Sequence, residues 1–166
     1  MITILSEKLP RILKNKKRLE KKLNIKITNR GKEVTITGTP ENEFIAQKTI
    51  DAINFGFSIA HSLLIVEENA EFEIINIKDH TKQNNLERIR GRLIGKQGKA
   101  LKTLSDLTNC YLELNKNQLG VIGEPEHLEN AQDAIIAIIK GAKHSNIYKF
   151  LEKHRVQEPV DLGLKE

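Results

Sequence analysis

The stretch RGRLIGKQGK at residues 90–99 decides how the fold of this chain is interpreted. Two glycines, Gly95 and Gly98, flank two polar residues there and follow an apolar Leu-Ile pair. Glycine has no Cβ, so the backbone can turn tightly and a phosphate group can approach its amides. A Gly-x-x-Gly tetrapeptide alone is equally compatible with a plain turn between two helices that carries solvated lysines. The flanking sequence therefore has to distinguish these interpretations.

Apolar residues recur at helical spacing on both sides of the glycines, at Leu86, Ile89 and Leu93 before them and at Leu101 and Leu104 after them. This pattern predicts two helices that meet at the loop. Because the first N–H groups of the second helix are free and its dipole is positive at that end, the junction favours an anion. The basic side chains around the loop add to this preference: Arg88, Arg90, Arg92, Lys96, Lys99 and Lys102.

The sequence around this helix pair predicts a small α+β module. Residues 71–78 alternate apolar and polar side chains, which is typical of a half-buried strand. Residues 111–114 and 119–122 predict two more strands separated by a turn, and a helix with a wide apolar face starts at Pro125. The order strand-helix-loop-helix-strand-strand-helix predicts a three-stranded sheet packed on one face by three helices.

The chain also repeats itself at an offset of 85 residues. The segment TGTPE at 37–41 falls on IGEPE at 122–126, and this alignment runs without a gap from about residue 9 to residue 53. We infer two copies of one module, at residues 1–67 and 68–150, followed by a C-terminal extension at 151–166. The first copy predicts a strand at 1–5, a helix over 8–23, a hairpin at 25–28 and 34–37, and a long helix from 42 to about 66. Gly56 is expected to bend or interrupt that last helix.

The first copy lacks the glycine loop, because the offset places Pro10 on Gly95 and Leu13 on Gly98. Proline has no N–H to donate, and leucine puts a side chain where backbone would have to approach a phosphate. The following helix is nevertheless rich in cations: Lys14, Lys16, Lys17, Arg18, Lys21 and Lys22. They predict either a solvated helix face or an auxiliary phosphate-binding patch.

Composition and spacing narrow the class of function. A net charge of +5 and a pI near 9.3 favour a polyanionic partner. The single cysteine, Cys110, allows neither an intrachain disulfide nor a thiolate metal cluster, which fits a reducing cytoplasmic setting, and no stretch predicts a membrane span. The glycine spacing does not fit a nucleoside-triphosphate loop, and the five histidines show no ligand pairing. We therefore expect no catalytic residue, metal or cofactor.

The second module resembles a KH domain of the eukaryotic topology, type I, through its element order and the Ile-Gly-Lys-x-Gly-Lys sequence at 94–99. The resemblance implies that the loop clamps single-stranded RNA in a groove for about four nucleotides. The walls of this groove would be the helix at 99–108 and the strand at 111–114. The RNA-binding residues that follow are Arg90, Arg92, Ile94, Gly95, Lys96, Gln97, Gly98, Lys99, Lys102 and Leu112.

A closer resemblance rests on residues 91–96 together with GAKHSNIYKFLE at 141–152. These segments resemble the partner-of-Nob family of small-subunit ribosome assembly factors, which have two tandem type I KH domains. The likeness implies a compact archaeal form that binds the 3′ region of small-subunit rRNA. This form is expected to be a monomer that does not associate with a membrane. The rRNA-cleaving endonuclease and pre-ribosomal proteins are its implied partners. His144, Tyr148 and Phe150 are expected to pack the C-terminal helix against the protein.

Two other binding functions remain open from the sequence. One is a KH adaptor of an RNA-degrading complex or a sibling KH assembly factor. The other is a protein-interaction scaffold whose KH fold has lost RNA binding, although the intact pair of glycines argues against that for the second module.

Overall fold

The computed structural model describes residues 1–155, so most of the expected extension at 151–166 lies outside the described residues. The first sheet consists of three antiparallel strands with β3 in the middle. Its strands are β1 (Ile2–Leu5), β2 (Lys26–Arg30) and β3 (Glu33–Thr37). Its helices are α1 (Leu9–Lys14), α2 (Lys16–Leu23), α3 (Pro40–Phe55) and α4 (Ile59–Glu67). Apolar side chains alternate toward the helices, and Ile27 and Ile36 face each other in this core.

The second sheet has the same strand order, with its third strand in the middle. Its strands are β4 (Glu71–Asn76), β5 (Tyr111–Asn115) and β6 (Gln118–Gly123). Its helices are α5 (Leu86–Ile94), α6 (Lys99–Thr108), α7 (Pro125–Ile139) and α8 (His144–Lys153). Leu93, Leu104, Val121 and Ile135 are fully buried in one core between this sheet and its helices. The structure is therefore an α+β protein with two three-stranded sheets.

The two halves match closely from α2 onward. At the offset of 85 residues, β2 coincides with β5, and α3 starts where α7 starts. Asn24 and Asn109 end α2 and α6 in the same left-handed conformation, with φ of 52° and 56°. Asparagine tolerates this conformation better than most residues. The repeat found in the sequence is thus also a repeat of backbone geometry.

Before α2 the ungapped alignment is wrong. Residues 9–14 form helix α1, whereas the residues aligned with them in the second half include the glycine loop. A single residue, Asn15, joins α1 to α2 in the first half. Pro10 and Leu13 therefore lie within α1 and do not occupy the positions of Gly95 and Gly98.

Three further expectations are corrected by the structure. The long helix expected over residues 42–66 is two helices, because Gly56 adopts φ of 134° at the end of α3 and Ser58 caps the start of α4 by accepting from the His61 N–H. The strand expected over 71–78 ends at Asn76, whose side chain accepts from the Lys78 N–H in a short 3₁₀ turn. Four helices, not the expected three, pack on the second sheet, because α8 joins the same core. This helix also continues past residue 150, where the second module was expected to end.

The corner between α3 and α4 covers the face of the second sheet that its own helices leave open. Phe55 and Phe57 lie there against Phe72 of β4 in edge-on contacts with centroids 5.7 Å apart. Gly120 of β6 permits this approach, because a Cβ at that position would lie 2.7 Å from the Phe55 ring and 2.8 Å from the Phe57 ring. The Asn115 side chain donates to the Phe55 carbonyl across the same contact. The first half therefore forms part of the packing of the second.

Within residues 1–155, none of the helices has the length and apolar character that crossing a membrane would require.

Candidate nucleic-acid interface

The loop between α5 and α6 has an unusual backbone. Gly95 adopts φ of 73° with ψ of 178°, a region that is almost restricted to glycine. Gln97 and Gly98 then follow in the left-handed region, with φ of 55° and 77°. These conformations turn the chain sharply between two helices that pack on the same core. The predicted interruption at residues 95–98 is present, and it is a short 3₁₀ turn.

The two glycines are needed for different reasons. A Cβ at Gly95 would lie 2.5 Å from the Ala100 Cβ and 2.7 Å from the Ala100 nitrogen, so the first turn of α6 fills the space where a side chain would stand. A Cβ at Gly98 would have no atom within 4 Å. Gly95 is therefore required by packing inside the protein, whereas Gly98 leaves open space on the outer side of the loop.

The loop contains two backbone donors that are not used inside the described part of the protein. The Gly98 N–H donates to the Gly95 carbonyl and the Lys99 N–H donates to the Lys96 carbonyl. Within residues 1–155, the N–H groups of Lys96 and Gln97 have no hydrogen-bond acceptor. No side chain caps the start of α6. The positive end of its dipole and these amides together form a surface that attracts an anion.

Mobile cations surround these donors. Lys96, Lys99 and Lys102 are exposed, and Gln97 between them is exposed and uncharged. Lysines on long flexible side chains can reach phosphates at several positions along a strand. The structure thus brings together the charged and backbone groups that the sequence predicts for a phosphate clamp.

The sequence predicts Arg92 as an RNA ligand, but its side chain is hydrogen-bonded inside the protein. Its Nη1 donates to the Ile138 carbonyl at 2.8 Å and its Nη2 donates to the Ala142 carbonyl. The Arg92 guanidinium therefore joins the end of α5 to the α7–α8 connection. Arg90 is half-buried, and its Nε is buried without a hydrogen-bond partner among the described residues. A contact of either arginine with RNA stays a prediction.

Apolar residues beside the loop lie on adjacent elements. Ile94 ends α5, Leu101 lies in the first turn of α6 and Leu112 lies on β5, and all three are half-buried. Leu101 and Leu112 pack against the buried core while keeping part of their surface accessible. Such partly exposed aliphatic side chains can contact the flat faces of bases. Strand β5 is also an edge strand, so one row of its backbone groups is free of sheet partners.

The sequence did not single out the position of α8 relative to the loop. Ile147 and Leu151 bury one face of this helix, as expected for packing, and Phe150 is half-buried. Tyr148 also packs against this core, as expected, and it lies beside the loop together with His144, whose Nε2–H donates to the Arg92 carbonyl at 2.8 Å. Their spacing of four residues, which places them on one helix face, was the available signal.

The corresponding junction in the first half has no such site. One residue, Asn15, separates α1 from α2, and its side chain donates to the Arg11 carbonyl. The neighbouring cations Lys17, Arg18 and Lys21 are exposed, while Lys22 forms an ion pair with Glu67 at 3.3 Å. The basic helix face is present, but the glycine loop that would present backbone amides is missing.

Two other groups of chemically reactive side chains lie outside this interface, at Cys110 and at the start of α7. Burial raises the pKa of the Cys110 thiol to about 11, so it remains protonated and is a poor nucleophile. Glu124, Glu126 and His127 at the start of α7 bring their ligand atoms within 4.8 Å of one another. A hydrogen bond with Glu126 raises the pKa of Glu124. The positive end of the α7 dipole disfavours a cation there.

Comparison with known proteins identifies the family. A model of the second KH domain of PNO1 proteins, described as a eukaryotic type KH-domain (KH-domain type I), matches residues 71–156, more than half of the chain. The chain belongs to the PNO1 family of KH-domain proteins. This confirms the resemblance to the partner-of-Nob family and the type I topology of the second sheet and its helices.

Individual relatives extend the similarity into the first half. A KH domain-containing protein of Methanocaldococcus jannaschii is 33% identical over 147 residues, which cover 84% of this chain and 65% of that protein. The pre-rRNA-processing protein pno1 of Aspergillus fumigatus is 26% identical over 143 residues, which cover 82% of this chain and 56% of that protein. The chain thus spans between about half and two thirds of the length of these curated relatives.

A solved structure supports the fold over nearly the whole chain. A chain in the crystal structure of the a/eIF2alpha-aDim2p-rRNA complex from Pyrococcus horikoshii superimposes with a TM-score of 0.80 and 28% sequence identity. The match covers 92% of each chain. The spatial relation of the two halves therefore belongs to the likeness, beyond the second half that the family model matches.

Proposed function

We propose that this PNO1-family protein binds single-stranded RNA in the 3′ region of small-subunit rRNA during ribosome assembly and rRNA processing, and that it binds without catalysing a reaction. The names of its relatives, which include a pre-rRNA-processing protein and a component of an rRNA complex, support this proposal. The observation that carries it is the exposed Gly95–Gly98 loop, whose free amides lie among exposed lysines at the start of α6.

Affinity and selectivity come from different parts of the site in this proposal. The amides of Lys96 and Gln97 and the lysine side chains hold the sugar-phosphate backbone, which contributes affinity with little choice of sequence. The bases lie over Ile94, Leu101 and Leu112, between α6 and β5, where free backbone groups of the β5 edge read their polar edges. Arg90, Gly95, Gly98, Lys99 and Lys102 complete the interface. Arg92 acts mainly by fixing the end of α5.

The two halves are proposed to be tandem type I KH domains, with a degenerate domain at residues 1–67 and a loop-bearing domain from residue 68. The shared strand order, the matched hairpins and the asparagine caps of α2 and α6 support this division. Because Leu151 is buried in the second core, α8 is better assigned to the second domain than to an extension starting at residue 151.

The wider setting follows from the family. We propose that the protein acts as a cytoplasmic monomer alongside the rRNA-cleaving endonuclease and other pre-ribosomal proteins. The outer face of the first sheet, which includes exposed Thr3 and Thr28, is accessible to such partners.

A double substitution in the loop tests the proposed function. Lys96→Asp with Gln97→Asp places two carboxylates where phosphate would bind, and we expect the affinity for a labelled single-stranded oligonucleotide to fall at least about 100-fold. Both positions are exposed, so the free energy of unfolding should change by only about 0.5 kcal/mol per site. For three to five neutralised phosphates, the wild-type affinity should fall with salt at a log–log slope of roughly −2 to −3.5.

A control with the same change of charge uses the hairpin of the first half. Asn29 and Lys32 are exposed near the turn between β2 and β3, and Asn29→Asp with Lys32→Asp should leave the affinity within about three-fold of wild type. If the loop variant remains folded and binds as tightly as the control, the site is wrongly assigned. Wild-type binding that is absent or insensitive to salt would favour the protein-interaction scaffold instead.

A further inference from the structure

An open cavity lies against the glycine loop where α8 borders it. Its volume is about 390 Å³, within the size range of pockets that hold small ligands. The residues around it come from the end of α5, the loop, α6 and α8: Arg92, Gly95, Lys96, Lys99, Ala100, Thr103, His144 and Tyr148. Three of them are cations and none is acidic, so the cavity favours an anionic ligand.

The wall formed by α8 is held in place by packing on one face and by hydrogen bonds at its start. Ile147 and Leu151 anchor the helix in the buried core on one face. At its start, the His144 ring donates to the Arg92 carbonyl, and the Arg92 guanidinium donates to the Ile138 and Ala142 carbonyls. These contacts fix α8 to the helix that leads into the loop. A ligand in the cavity would therefore meet a preformed surface and would not have to order it.

The same wall carries aromatic groups. The rings of His144 and Tyr148 lie 6.0 Å apart in an edge-on arrangement. Tyr148 is half-buried, and its partial burial raises the pKa of its hydroxyl, which therefore stays protonated near neutral pH and can donate a hydrogen bond. The cavity thus places an aromatic surface opposite lysines at the loop. Single-stranded nucleic acids are commonly bound by such a combination of stacking rings and cations.

We propose that α8 adds a nucleotide-binding subsite to the second domain, in which one nucleotide of the bound strand places its base against Tyr148 and a phosphate between Lys96 and Lys99. This proposal rests on the proposed function, because the loop that lines the cavity is also the proposed phosphate clamp of the groove between α6 and β5. The strand would pass from the groove over Gly98, where no side chain obstructs it, into the cavity. The subsite extends the bound stretch beyond the roughly four nucleotides that a KH groove holds.

The length of the RNA provides the test. Affinities would be measured for oligonucleotides of four nucleotides and for the same sequence extended by two at either end. Wild-type protein should bind one of the extended strands more tightly, by about ten-fold for one stacked base. Tyr148→Ala should remove this gain and leave the affinity for the four-nucleotide strand unchanged. Tyr148→Phe keeps the ring and should retain most of the gain.

Two outcomes would overturn the subsite. One is an undiminished gain in Tyr148→Ala, which would show that the extra nucleotides bind elsewhere or that the cavity serves another partner. The other is an equal loss for short and extended strands, which would show that Tyr148 only supports the fold. Failure of the proposed function looks different, because wild-type protein would then bind no strand in a salt-dependent way.

A second measurement on wild-type protein covers the case in which Tyr148→Ala does not fold. An extended strand with a terminal 4-thiouridine is crosslinked by light, and the attached peptides are identified by mass spectrometry. We expect a crosslink within residues 144–149, which contain Tyr148. Crosslinks confined to α6 and β5 for labels at both ends would contradict the subsite.

Discussion

The two halves of the molecule have the same strand order and the same asparagine cap at the end of α2 and α6, yet they differ where α1 meets α2 and α5 meets α6. In the first half one residue, Asn15, makes the connection, whereas the second half uses a strained loop at Gly95–Gly98. The first half therefore shows that a three-stranded sheet of this order can pack against its helices without the loop. The unpaired amides of the Gly95–Gly98 loop are therefore not required for this strand order.

The first half contributes to packing instead, because its α3–α4 corner covers the face of the second sheet that the helices of the second half leave open. Phe57→Ala would remove a side chain that is almost completely buried there, and we expect the free energy of unfolding to fall by about 3–5 kcal/mol. Urea denaturation measures this change. RNA affinity under native conditions should stay near that of wild type, because the loop is not touched.

The matched control for Phe57 is Phe44, a phenylalanine of the same half that is 58% exposed. Phe44→Ala should change the free energy of unfolding by less than about 1 kcal/mol. Equal losses in the two variants would mean that the α3–α4 corner does not support the second sheet.

A comparison of two glycines separates strain from RNA contact. Gly98 in the loop and Gly31 in the hairpin of the first half both have positive φ, 77° and 58°, and a Cβ would meet no atom within 4 Å at either position. Gly98→Ala and Gly31→Ala should each lower the free energy of unfolding by about 1–2 kcal/mol. RNA affinity should fall about ten-fold for Gly98→Ala alone, because its Cβ points where a phosphate approaches.

Thermal or urea unfolding and oligonucleotide titration of the two alanine variants check this prediction side by side. Similar RNA affinities for both would show that phosphate does not approach the backbone at Gly98. In that case Gly98 would serve only to let the chain turn between α5 and α6.

The smallest expected effect concerns two lysines at equivalent positions of the repeat, Lys17 on α2 and Lys102 on α6. Lys102→Glu should weaken RNA binding about three- to ten-fold. It should also make the log–log dependence of affinity on salt less steep, as expected for the loss of about one phosphate contact. Lys17→Glu should weaken it by less than about two-fold, as expected for a solvated face. Titrations at two salt concentrations measure both. A loss for Lys17→Glu that matches Lys102→Glu would identify α2 as a second RNA contact.

Local sequence predicted most of the second half because each signal there acts over short distances. The helices at 86–94 and 99–108, the hairpin and the loop follow from periodicity, glycines and turn residues within a few positions. The break at Asn15 was missed because an ungapped repeat cannot reveal a shortened connection. The division of the helix expected over 42–66 depended on Gly56 and the Ser58 cap acting together.

The site was predicted less completely than the fold. The glycines and lysines of the loop lie next to each other in the sequence, so their meeting in space needed no knowledge of packing. The role of Arg92 depends on the carbonyls of Ile138 and Ala142, which lie 46 and 50 positions away. The position of Tyr148 beside the loop likewise depends on how α8 packs in three dimensions.

One titration compares the two junctions directly. Lys96→Asp with Gln97→Asp in the glycine loop and Lys14→Asp with Asn15→Asp at the α1–α2 junction change the net charge equally. A labelled single-stranded oligonucleotide from the 3′ region of small-subunit rRNA is added to each variant and to wild type, and circular dichroism verifies that all three are folded. We predict that the loop variant loses at least about 100-fold in affinity while the junction variant stays within about three-fold of wild type. Equal affinities for the two variants would contradict the assignment of RNA binding to the Gly95–Gly98 loop.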